Sequence, residues 1–319
     1  MRLLVTGGAG YIGSVVTARL LEEGHEVTVL DDLSTGHRDA VPPAATFIEG
    51  RVHDAEDVIA AGGFEAALHF AAFSLVGESV SNPAKYEENN VVGTSRLCDA
   101  LQRAGVNKLI FSSSAAVYGE PDVALITETT TAAPSNPYGA TKLTIDLDLS
   151  KRAQADGFAA VSLRYFNVAG SYGTFGERHR QETHLIPVAL EVIAGRREQL
   201  TIYGDDFPTP DGTCVRDYIH VVDLADAHVL ALEALSEGRH EIVNLGNGEG
   251  FSVREVTDAV ARVTARPLPY VIGSRREGDP ARLVASNEKA KAVLGWIPER
   301  PALDTMISDA WDFFQARFL

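Results

Sequence analysis

The sequence predicts an α/β protein built on a doubly wound, Rossmann-like parallel sheet, with a second, smaller α/β domain in its C-terminal half. Three observations lead to this fold class. Strand-like apolar runs alternate with helical stretches, the first run ends in a glycine-rich turn that begins a helix, and the character of the chain changes after Asn167. Right-handed crossovers between parallel strands then place helices on both faces of the sheet.

The elements follow in order along the chain. Strands are predicted at 2–6, 26–31, 45–49, 66–71, 108–113 and 160–165, and the intervening helices at 11–23, 54–61, 83–105 and 137–157. After a long loop over 169–181, we expect helices at 183–195, 221–236, 252–264, 286–294 and 303–318, and a strand at 200–203. We therefore expect a first domain over 1–167 and a smaller one over 168–319, from which the chain returns to the first around 213–245. The cleft between them is the natural ligand site.

Composition and charge narrow the class of partner. The chain has 319 residues, of which 45% are hydrophobic, and its formal net charge of −16 argues against nucleic acid or an anionic membrane as the main partner. No signal peptide precedes the strand that begins at Arg2, and no apolar run approaches the roughly 18 residues of a membrane span, so a cytoplasmic location is expected. Cys98 and Cys214 are expected to be buried thiols.

The turn after the first strand has the pattern of a dinucleotide site. Gly7, Gly10 and Gly13 are spaced so that the chain can turn tightly, let backbone approach a pyrophosphate, and pack the helix on the sheet. Asp31 ends the second strand, where its carboxylate can accept hydrogen bonds from both ribose hydroxyls of an adenosine. A 2′-phosphate would meet the charges of Asp31 and Asp32 with no arginine directly after them, so NAD is expected rather than NADP.

Ser114, Tyr138 and Lys142 form a candidate catalytic set. Tyr138 and Lys142 are four residues apart on one helix face, and Ser114 ends a strand at the carboxyl edge of the sheet. A phenol has a pKa of about 10 in water. A nearby ammonium, together with the positive nicotinamide of NAD⁺, is expected to lower this pKa. Tyr138 is thus the predicted base, and Ser114 is predicted to hydrogen-bond the substrate oxygen and pass on a proton. By themselves these residues indicate an alcohol that a nicotinamide oxidises.

Seven motifs spread over the chain resemble those of the extended short-chain dehydrogenase/reductase family. They are residues 6–13 (TGGAGYIG), 76–79 (VGES), 112–119 (SSSAAVYG), 138–142 (YGATK), 164–167 (RYFN), 211–220 (DGTCVRDYIH) and 275–279 (RREGD). The last two resemble the sugar-nucleotide epimerases of that family in particular. The resemblance covers nearly the whole chain, and it implies that tightly held NAD serves the interconversion of UDP-glucose and UDP-galactose by transient oxidation at the sugar C4. It also implies a homodimer formed through helices 83–105 and 137–157.

The same resemblance implies which residues line the site. Cofactor contacts are expected from Gly7, Gly10, Tyr11, Ile12, Gly13, Asp31, Asp32, Ser34, Val52, Phe70, Ala71, Ala72, Ser74, Asn89, Ser112, Tyr138, Lys142 and Phe166. Substrate contacts are expected from Ser114, Tyr138, Phe166, Asn167, His184, Leu185, Arg216, Arg276 and Asp279. Arg216 and Arg276 would hold the diphosphate, because a planar guanidinium can bind two oxygens, and Asp279 would accept from the uridine ribose.

A few positions depart from the best-known bacterial pattern of the family. Arg51 stands where an aspartate commonly meets the adenine amino group, and Ser74 stands where a lysine often reaches the cofactor phosphates. Thr183 and His184 replace paired asparagines before the substrate helix. Leu283 aligns with the position that limits the room beside the sugar C2, and its middle size leaves N-acetylated sugars open.

Several alternatives stand beside UDP-glucose as substrate. Epimerases acting on UDP-glucuronate, UDP-xylose, UDP-arabinose or UDP-N-acetylglucosamine share the chemistry and differ only in the sugar pocket. A dehydratase would need an Asp-Glu pair where this chain has Ser114 and Ala115. A non-catalytic NAD-sensing regulator would have no need of the intact set formed by Ser114, Tyr138 and Lys142.

No metal is expected from the sequence. Arg178, His179, Arg180 and His184 cluster near the start of the predicted helix at Thr183, but no carboxylate or third ligand is expected at a useful spacing. The segment is expected to lie over the nucleotide as a loop.

Overall fold

The computed structural model describes residues 1–276 and 278–319. Glu277, part of the motif at 275–279, lies outside the described residues. The strands are β1 (Arg2–Thr6), β2 (Glu26–Asp31), β3 (Thr46–Glu49), β4 (Ala66–His69), β5 (Lys108–Ser114), β6 (Ala159–Tyr165), β7 (Asn167–Ala169), β8 (Ser171–Tyr172), β9 (Phe175–Gly176), β10 (Leu200–Tyr203), β11 (Val215–Arg216), β12 (Tyr218–His220), β13 (His240–Leu245), β14 (Phe251–Ser252), β15 (Tyr270–Gly273) and β16 (Arg282–Leu283). The helices are α1 (Tyr11–Glu22), α2 (Ala55–Gly62), α3 (Val76–Ser81), α4 (Pro83–Tyr86), α5 (Gly93–Arg103), α6 (Pro137–Asp156), α7 (Leu185–Ile193), α8 (Val221–Ala234), α9 (Val253–Thr264), α10 (Glu288–Leu294) and α11 (Leu303–Phe318).

Seven parallel strands form the central sheet, in the order β13-β6-β5-β4-β1-β2-β3. From β1 the chain adds β2 and β3 on one side, and it then crosses over to add β4, β5 and β6 on the other. Ligands of such sheets bind beyond the carboxyl ends of the strands, where the direction of winding reverses. This point lies between β1 and β4, and the predicted doubly wound sheet is confirmed.

Helices cover both faces of the sheet, and successive strand residues point to opposite faces. On one face, Val5 and Val29 belong to a core shared with α1 and α8. On the other, Leu4, Leu109 and Phe111 pack in a core shared with α2, α5 and α6. Because the central strands are buried on both sides, they read in the sequence as continuous apolar runs, which is why they could be located there.

A separate hydrophobic core belongs to the smaller C-terminal domain. Helices α7, α9 and α11 pack together around the buried side chains of Leu190, Val260 and Ile307. Two short sheets, β10–β15 and β14–β11–β16, lie in the same part of the chain.

Two elements of the C-terminal half belong to the large sheet layer. Strand β13 pairs with β6 from His240 opposite Ala160 to Leu245 opposite Tyr165. Helix α8 packs against α1 on the face that carries Val5. The chain therefore leaves the large sheet after β6 and returns to complete its edge.

Two predicted elements contain features that the sequence does not predict. The helix predicted at 83–105 has a π turn over Glu87–Val92, where the Asn90 side chain bonds both the backbone N–H and the carbonyl of Phe73 at 3.0 Å. Such π turns accompany functional sites, and this one faces the segment after β4. The loop predicted at 169–181 contains the β8–β9 hairpin, which closes through Gly173 in the left-handed region at φ +56°.

Both cysteines, Cys98 and Cys214, are buried free thiols, as the sequence predicts. Across residues 1–276 and 278–319, no helix combines the length and the apolar character that crossing a membrane requires.

Candidate active site

The turn between β1 and α1 is shaped by three glycines with different surroundings. Gly7 has φ +76°, and a Cβ there would lie 2.4 Å from the backbone nitrogen of Ala71. A Cβ at Gly13 would lie 2.2 Å from the Gly7 carbonyl oxygen. At Gly10, the N-cap of α1, the nearest atom would be 3.4 Å away, so this position is open on the protein side. The turn therefore has the cradle that a pyrophosphate needs at a helix N-terminus.

Asp31 is fixed at the carboxyl end of β2, beside this turn. Its carboxylate accepts hydrogen bonds from the backbone N–H groups of Ala9, at 3.0 Å, and Leu33, at 2.8 Å. Burial raises the pKa of Asp31, and these two hydrogen bonds oppose that rise. Each oxygen keeps a lone pair free, which suits a group that accepts from the two hydroxyls of a ribose.

The other predicted cofactor residues lie at the same edge of the sheet. Tyr11 and Ile12 begin α1, Asp32 and Ser34 follow β2, Val52 follows β3, Phe70, Ala71, Ala72 and Ser74 follow β4, Asn89 lies in the π turn, Ser112 lies in β5, and Phe166 follows β6. Beside the expected adenine position, Val52 is buried and Arg51 is exposed. The chain thus collects groups from six neighbouring strands along one edge, and the residues present fit NAD.

The candidate catalytic side chains come from β5 and from the first turns of α6. Ser114 is the last residue of β5, and its hydroxyl accepts from the N–H of Ala116 at 3.2 Å. Helix α6 begins after Asn136, whose side chain caps it by accepting from Gly139 at 2.9 Å. The buried Lys142 ammonium donates to the Ser112 carbonyl at 2.7 Å and lies 5.8 Å from the ring centre of Tyr138.

Burial dominates the electrostatics of this set. Burial raises the pKa of Tyr138, and a hydrogen bond from Ser114 only opposes that rise. Burial also lowers the pKa of Lys142 to about 7. In the protein without NAD, burial thus dominates the phenol pKa, and the Lys142 ammonium bonds the Ser112 carbonyl. The predicted lowering of the phenol pKa, which includes the positive nicotinamide of NAD⁺, stays a prediction.

On the substrate side, the predicted residues are brought together by β11 and the turn after β15. Arg216 and Asp279 form an ion pair, and Arg216 also donates to the Val215 carbonyl at 2.8 Å. The Arg276 guanidinium lies 3.8 Å from the ring centre of Tyr203. Asp279, the predicted ribose acceptor, and Arg216, a predicted diphosphate ligand, thus pair with each other.

The remaining substrate residues lie on two other elements. Asn167 begins β7 directly after the buried Phe166, and its side chain is exposed. His184 is the N-cap of α7 and Leu185 is the first residue of that helix. The helix starts two residues later than the predicted 183, because Thr183 and His184 are held by the Glu182 carboxylate, which accepts from both backbone N–H groups at 2.8 Å.

A buried ion pair behind the catalytic helix was missed in the sequence. Asp146 lies one turn after Lys142 on α6 and pairs with Arg164 of β6 at 2.8 Å. Arg164 also donates to the Tyr118 hydroxyl at 3.0 Å, and that hydroxyl donates to Asn244 at 2.7 Å. The sequence signal for this ion pair is a charged residue at each of two positions expected to be buried. Asp146 lies four residues after Lys142, and Arg164 lies within an apolar strand.

The segment between β9 and α7 differs from the sequence prediction in the groups that lie around its histidines. Glu177 and Glu182 lie against the imidazoles of His179 and His184, so the expectation that no carboxylate has a useful spacing there is wrong. The sequence signal for this cluster is the alternation of glutamate and histidine along residues 177–184. The loop contacts His37 after β2, whose Nε2 bonds the Arg178 carbonyl at 2.9 Å and whose backbone N–H donates to the Ala9 carbonyl of the nucleotide turn at 2.9 Å. That the loop lies over a bound nucleotide stays a prediction.

The fold and the site define an NAD-dependent protein of the short-chain dehydrogenase/reductase class. A parallel sheet carries a dinucleotide turn, an acidic residue after β2, and a Ser–Tyr–Lys set at the same edge. Residues 3–246 match the model of the NAD dependent epimerase/dehydratase family. The chain belongs to this family, which confirms the resemblance seen in the motifs.

Relatives of known name support this assignment over the whole length. The chain is 57% identical to the UDP-glucose 4-epimerase of Corynebacterium glutamicum, with 99% of this chain and 96% of the relative covered. A crystal structure of a UDP-glucose 4-epimerase superposes with a TM-score of 0.96 at 48% identity, covering 99% of this chain and 98% of the other. The Bifidobacterium longum UDP-glucose 4-epimerase, solved with NAD⁺ and UDP, has a TM-score of 0.94 at 37% identity, with 99% of both chains covered.

Proposed function

We propose that this protein interconverts UDP-glucose and UDP-galactose by inverting C4 of the sugar, with NAD as a resident cofactor. The observation that carries the proposal is the position of Ser114, Tyr138 and Lys142 beside the dinucleotide turn. The 57% identity to a UDP-glucose 4-epimerase over 99% of the chain supports it. Bound NAD supplies the acceptance of a hydride from C4 and its return.

Each side chain of the set has one task. The Tyr138 oxygen removes the proton of the 4′-hydroxyl and later gives it back, and the Ser114 hydroxyl donates a hydrogen bond to the same sugar oxygen. With NAD bound, the positive nicotinamide and the Lys142 ammonium together favour the phenolate over the phenol, against the effect of burial on the Tyr138 pKa. Because C4 must present each of its faces in turn, the protein has to hold the UDP firmly and leave the sugar free to rotate.

The charged groups for holding UDP come from the smaller domain. Arg216 lies on β11, and Arg276 lies in the turn that also carries Asp279. Two guanidinium groups can bind the two phosphates through paired hydrogen bonds, and a carboxylate can accept from a ribose hydroxyl. Asn167, exposed directly after β6, supplies a neutral contact nearer to the sheet.

The proposal is tested with Tyr138→Phe, which removes only the phenol oxygen. Conversion of UDP-galactose to UDP-glucose is followed with a coupled dehydrogenase, and the NAD retained after purification is measured by absorbance. We expect kcat to fall by about 10²–10⁴-fold with NAD content unchanged. The matched control is Tyr172→Phe, which removes a surface hydroxyl bonded to Glu22. Full activity in Tyr138→Phe would exclude Tyr138 as the base.

A panel of UDP-sugars tests the substrate. UDP-glucose is expected to have the highest kcat/KM, compared with UDP-N-acetylglucosamine, UDP-glucuronate and UDP-xylose. Leu283 of β16 lies beside β11, and Leu283→Ala is expected to raise the relative rate on the N-acetylated sugar by enlarging the space beside C2. A preference for another member of the panel would redirect the proposal to that sugar while leaving the chemistry intact.

We also propose that the protein is a homodimer formed through α6 and the helix that runs from α4 to α5. Leu147 of α6 supports this, because it is 54% exposed on a helix whose other face is buried. Leu147→Asp is expected to convert the dimer into a monomer in sedimentation velocity. Ile297→Asp is the control, since Ile297 is similarly exposed, at 60%, and follows Trp296, which packs on the opposite face of the sheet. A monomeric wild-type protein would refute the proposal.

We further propose that residues 1–167 bind the cofactor and carry the catalytic set, while residues 168–319 bind the UDP-sugar. The separate core of α7, α9 and α11 supports this division. The pairing of β13 with β6 supports a return of the chain to the first domain within 213–245.

A further inference from the structure

Four side chains converge in the segment between β9 and α7. They belong to Glu177, His179, Glu182 and His184, and one ligand atom from each lies within 4.8 Å of every other. His184 Nδ1 lies 2.7 Å from Glu177 and 3.0 Å from Glu182, and His179 Nδ1 lies 3.1 Å from Glu177 and 3.4 Å from Glu182. The same ring nitrogen of each histidine thus faces both carboxylates.

Hydrogen bonds within the protein satisfy this arrangement only in part. The Glu182 carboxylate accepts from the backbone N–H groups of Thr183 and His184 at 2.8 Å and meets His184 Nδ1 at 3.0 Å. Each Nδ1 can carry one hydrogen, so at most two hydrogens serve four nitrogen–oxygen contacts. Within the described part of the chain, the buried Nδ1 of His179 makes no hydrogen bond of acceptable geometry. The side chains of Glu177 and Glu182 are only 10% and 6% exposed, and nearly buried carboxylates require strong compensation. The four groups therefore point at one place instead of pairing one to one.

We propose that Glu177, His179, Glu182 and His184 bind a Zn²⁺ ion. Four ligands held at about 2.1 Å in a tetrahedron lie about 3.4 Å from one another. The four histidine–carboxylate contacts are 2.7–3.4 Å, with Glu182 facing each histidine through a different oxygen, so a small rearrangement reaches this geometry. Two imidazole nitrogens and two carboxylate oxygens suit zinc, whereas Ca²⁺ and Mg²⁺ prefer oxygen ligands alone. His184 is half exposed, at 53%, which gives the ion a path from solvent.

The site joins the loop after β2 to the beginning of α7. The Arg178 carbonyl, between two of the ligands, bonds His37, and the Arg178 guanidinium pairs with Asp39 at 2.8 Å. His184 is the N-cap of α7. A bound ion would fix the start of α7 relative to the loop after β2, and it would make His184 a metal ligand that positions Leu185.

The test measures zinc on the purified protein with its NAD bound and without an affinity tag that binds metals. After equilibration with Zn²⁺ and removal of the excess, elemental analysis is expected to give one zinc per chain. Glu177→Gln and His179→Gln are expected to weaken zinc binding by at least about 100-fold, measured by competition with a fluorescent chelator. Zinc is also expected to raise the Tm of the wild-type protein and not that of Glu177→Gln.

The matched control is His53→Gln, which breaks a histidine–glutamate pair with Glu88 at 3.6 Å where, among the residues that the structure describes, no third ligand converges. Its zinc affinity is expected to equal that of the wild type. Cobalt substitution of the wild-type protein needs no variant to fold, and it is expected to give the strong visible absorption of a four-coordinate site. A wild-type protein that holds no stoichiometric zinc, variants that bind as tightly as wild type, or a weak six-coordinate cobalt spectrum would each overturn the proposal.

Discussion

Gly7 and Gly10 belong to one turn, yet the structure gives them separate tasks that two substitutions can distinguish. In Gly7→Ala the new Cβ would lie 2.4 Å from the Ala71 nitrogen and 2.7 Å from the Phe70 carbonyl carbon. Both are backbone atoms next to β4, so no side chain can rotate out of the way. In Gly10→Ala the nearest protein atom is 3.4 Å away, and φ is −81°, which alanine adopts freely.

The size of the Gly7→Ala effect has two contributions. Alanine at φ +76° costs about 1–2 kcal/mol relative to glycine. Moving the Cβ out to ordinary contact requires a backbone shift near 1 Å in a packed core, and overpacking of this kind costs about 1–3 kcal/mol. The free energy of unfolding should therefore fall by about 2–5 kcal/mol, which lowers Tm by about 3–7 °C in a protein of this size.

The assay records Tm with and without added NAD. Gly7→Ala is expected to have a lowered Tm even without NAD. Gly10→Ala is expected to keep the wild-type Tm without NAD and to lose most of the increase that NAD gives, because its methyl group occupies the open side of the cradle. An unchanged Tm for Gly7→Ala, or full NAD stabilisation of Gly10→Ala, would refute the reasoning.

Two further predictions concern buried charges. The Lys142 pKa is lowered from 10.5 to about 7, so the unfolded chain binds more protons between these pH values, and this group makes stability rise with pH by up to about 1.4 kcal/mol per unit. Lys142→Met removes this rise, so the Tm of the variant minus that of NAD-free wild type should decrease from pH 7 to pH 9. A Tm difference that stays constant over this range would contradict the burial of the Lys142 ammonium. Asp146→Asn leaves the buried Arg164 unpaired and should cost about 3–5 kcal/mol in thermal unfolding. Asp148→Asn, which breaks a more exposed pair with Arg152, should cost less than about 1 kcal/mol, and equal effects would contradict the role of burial.

The large sheet could be predicted closely where its strands are central. Strands β1 and β2 have the predicted bounds, because burial on both faces leaves a continuous apolar run between turn residues. Strand β13 could not be located in the same way. It begins with His240 and Glu241, and its first three residues are only partly buried because it is the edge strand. Its membership in the sheet depends on pairing with β6, about eighty residues earlier in the chain.

In the candidate site, too, features that are local in the chain could be predicted and features set by packing could not. The spacing of Tyr138 and Lys142 is local to one helix, and the structure places both side chains beside β5 as the sequence suggests. The pairing of Asp146 with Arg164 joins a helix to a strand, so it is set by packing and not by spacing. The direction of the Tyr138 pKa is likewise a result of burial, which the sequence does not display.

The edge of the sheet at β6 has a consequence for the order of synthesis. All seven residues of β6 are buried in the finished protein, and one side of this strand is covered only by β13. On a ribosome, β6 emerges with its outer hydrogen-bonding groups unpaired and stays so until residues 166–245 have also been made, which takes several seconds at roughly 5–20 residues per second. The nascent chain therefore exposes an unpaired, aggregation-prone strand edge for that interval. Chaperone binding should be strongest to ribosome-bound chains that end between β6 and β13.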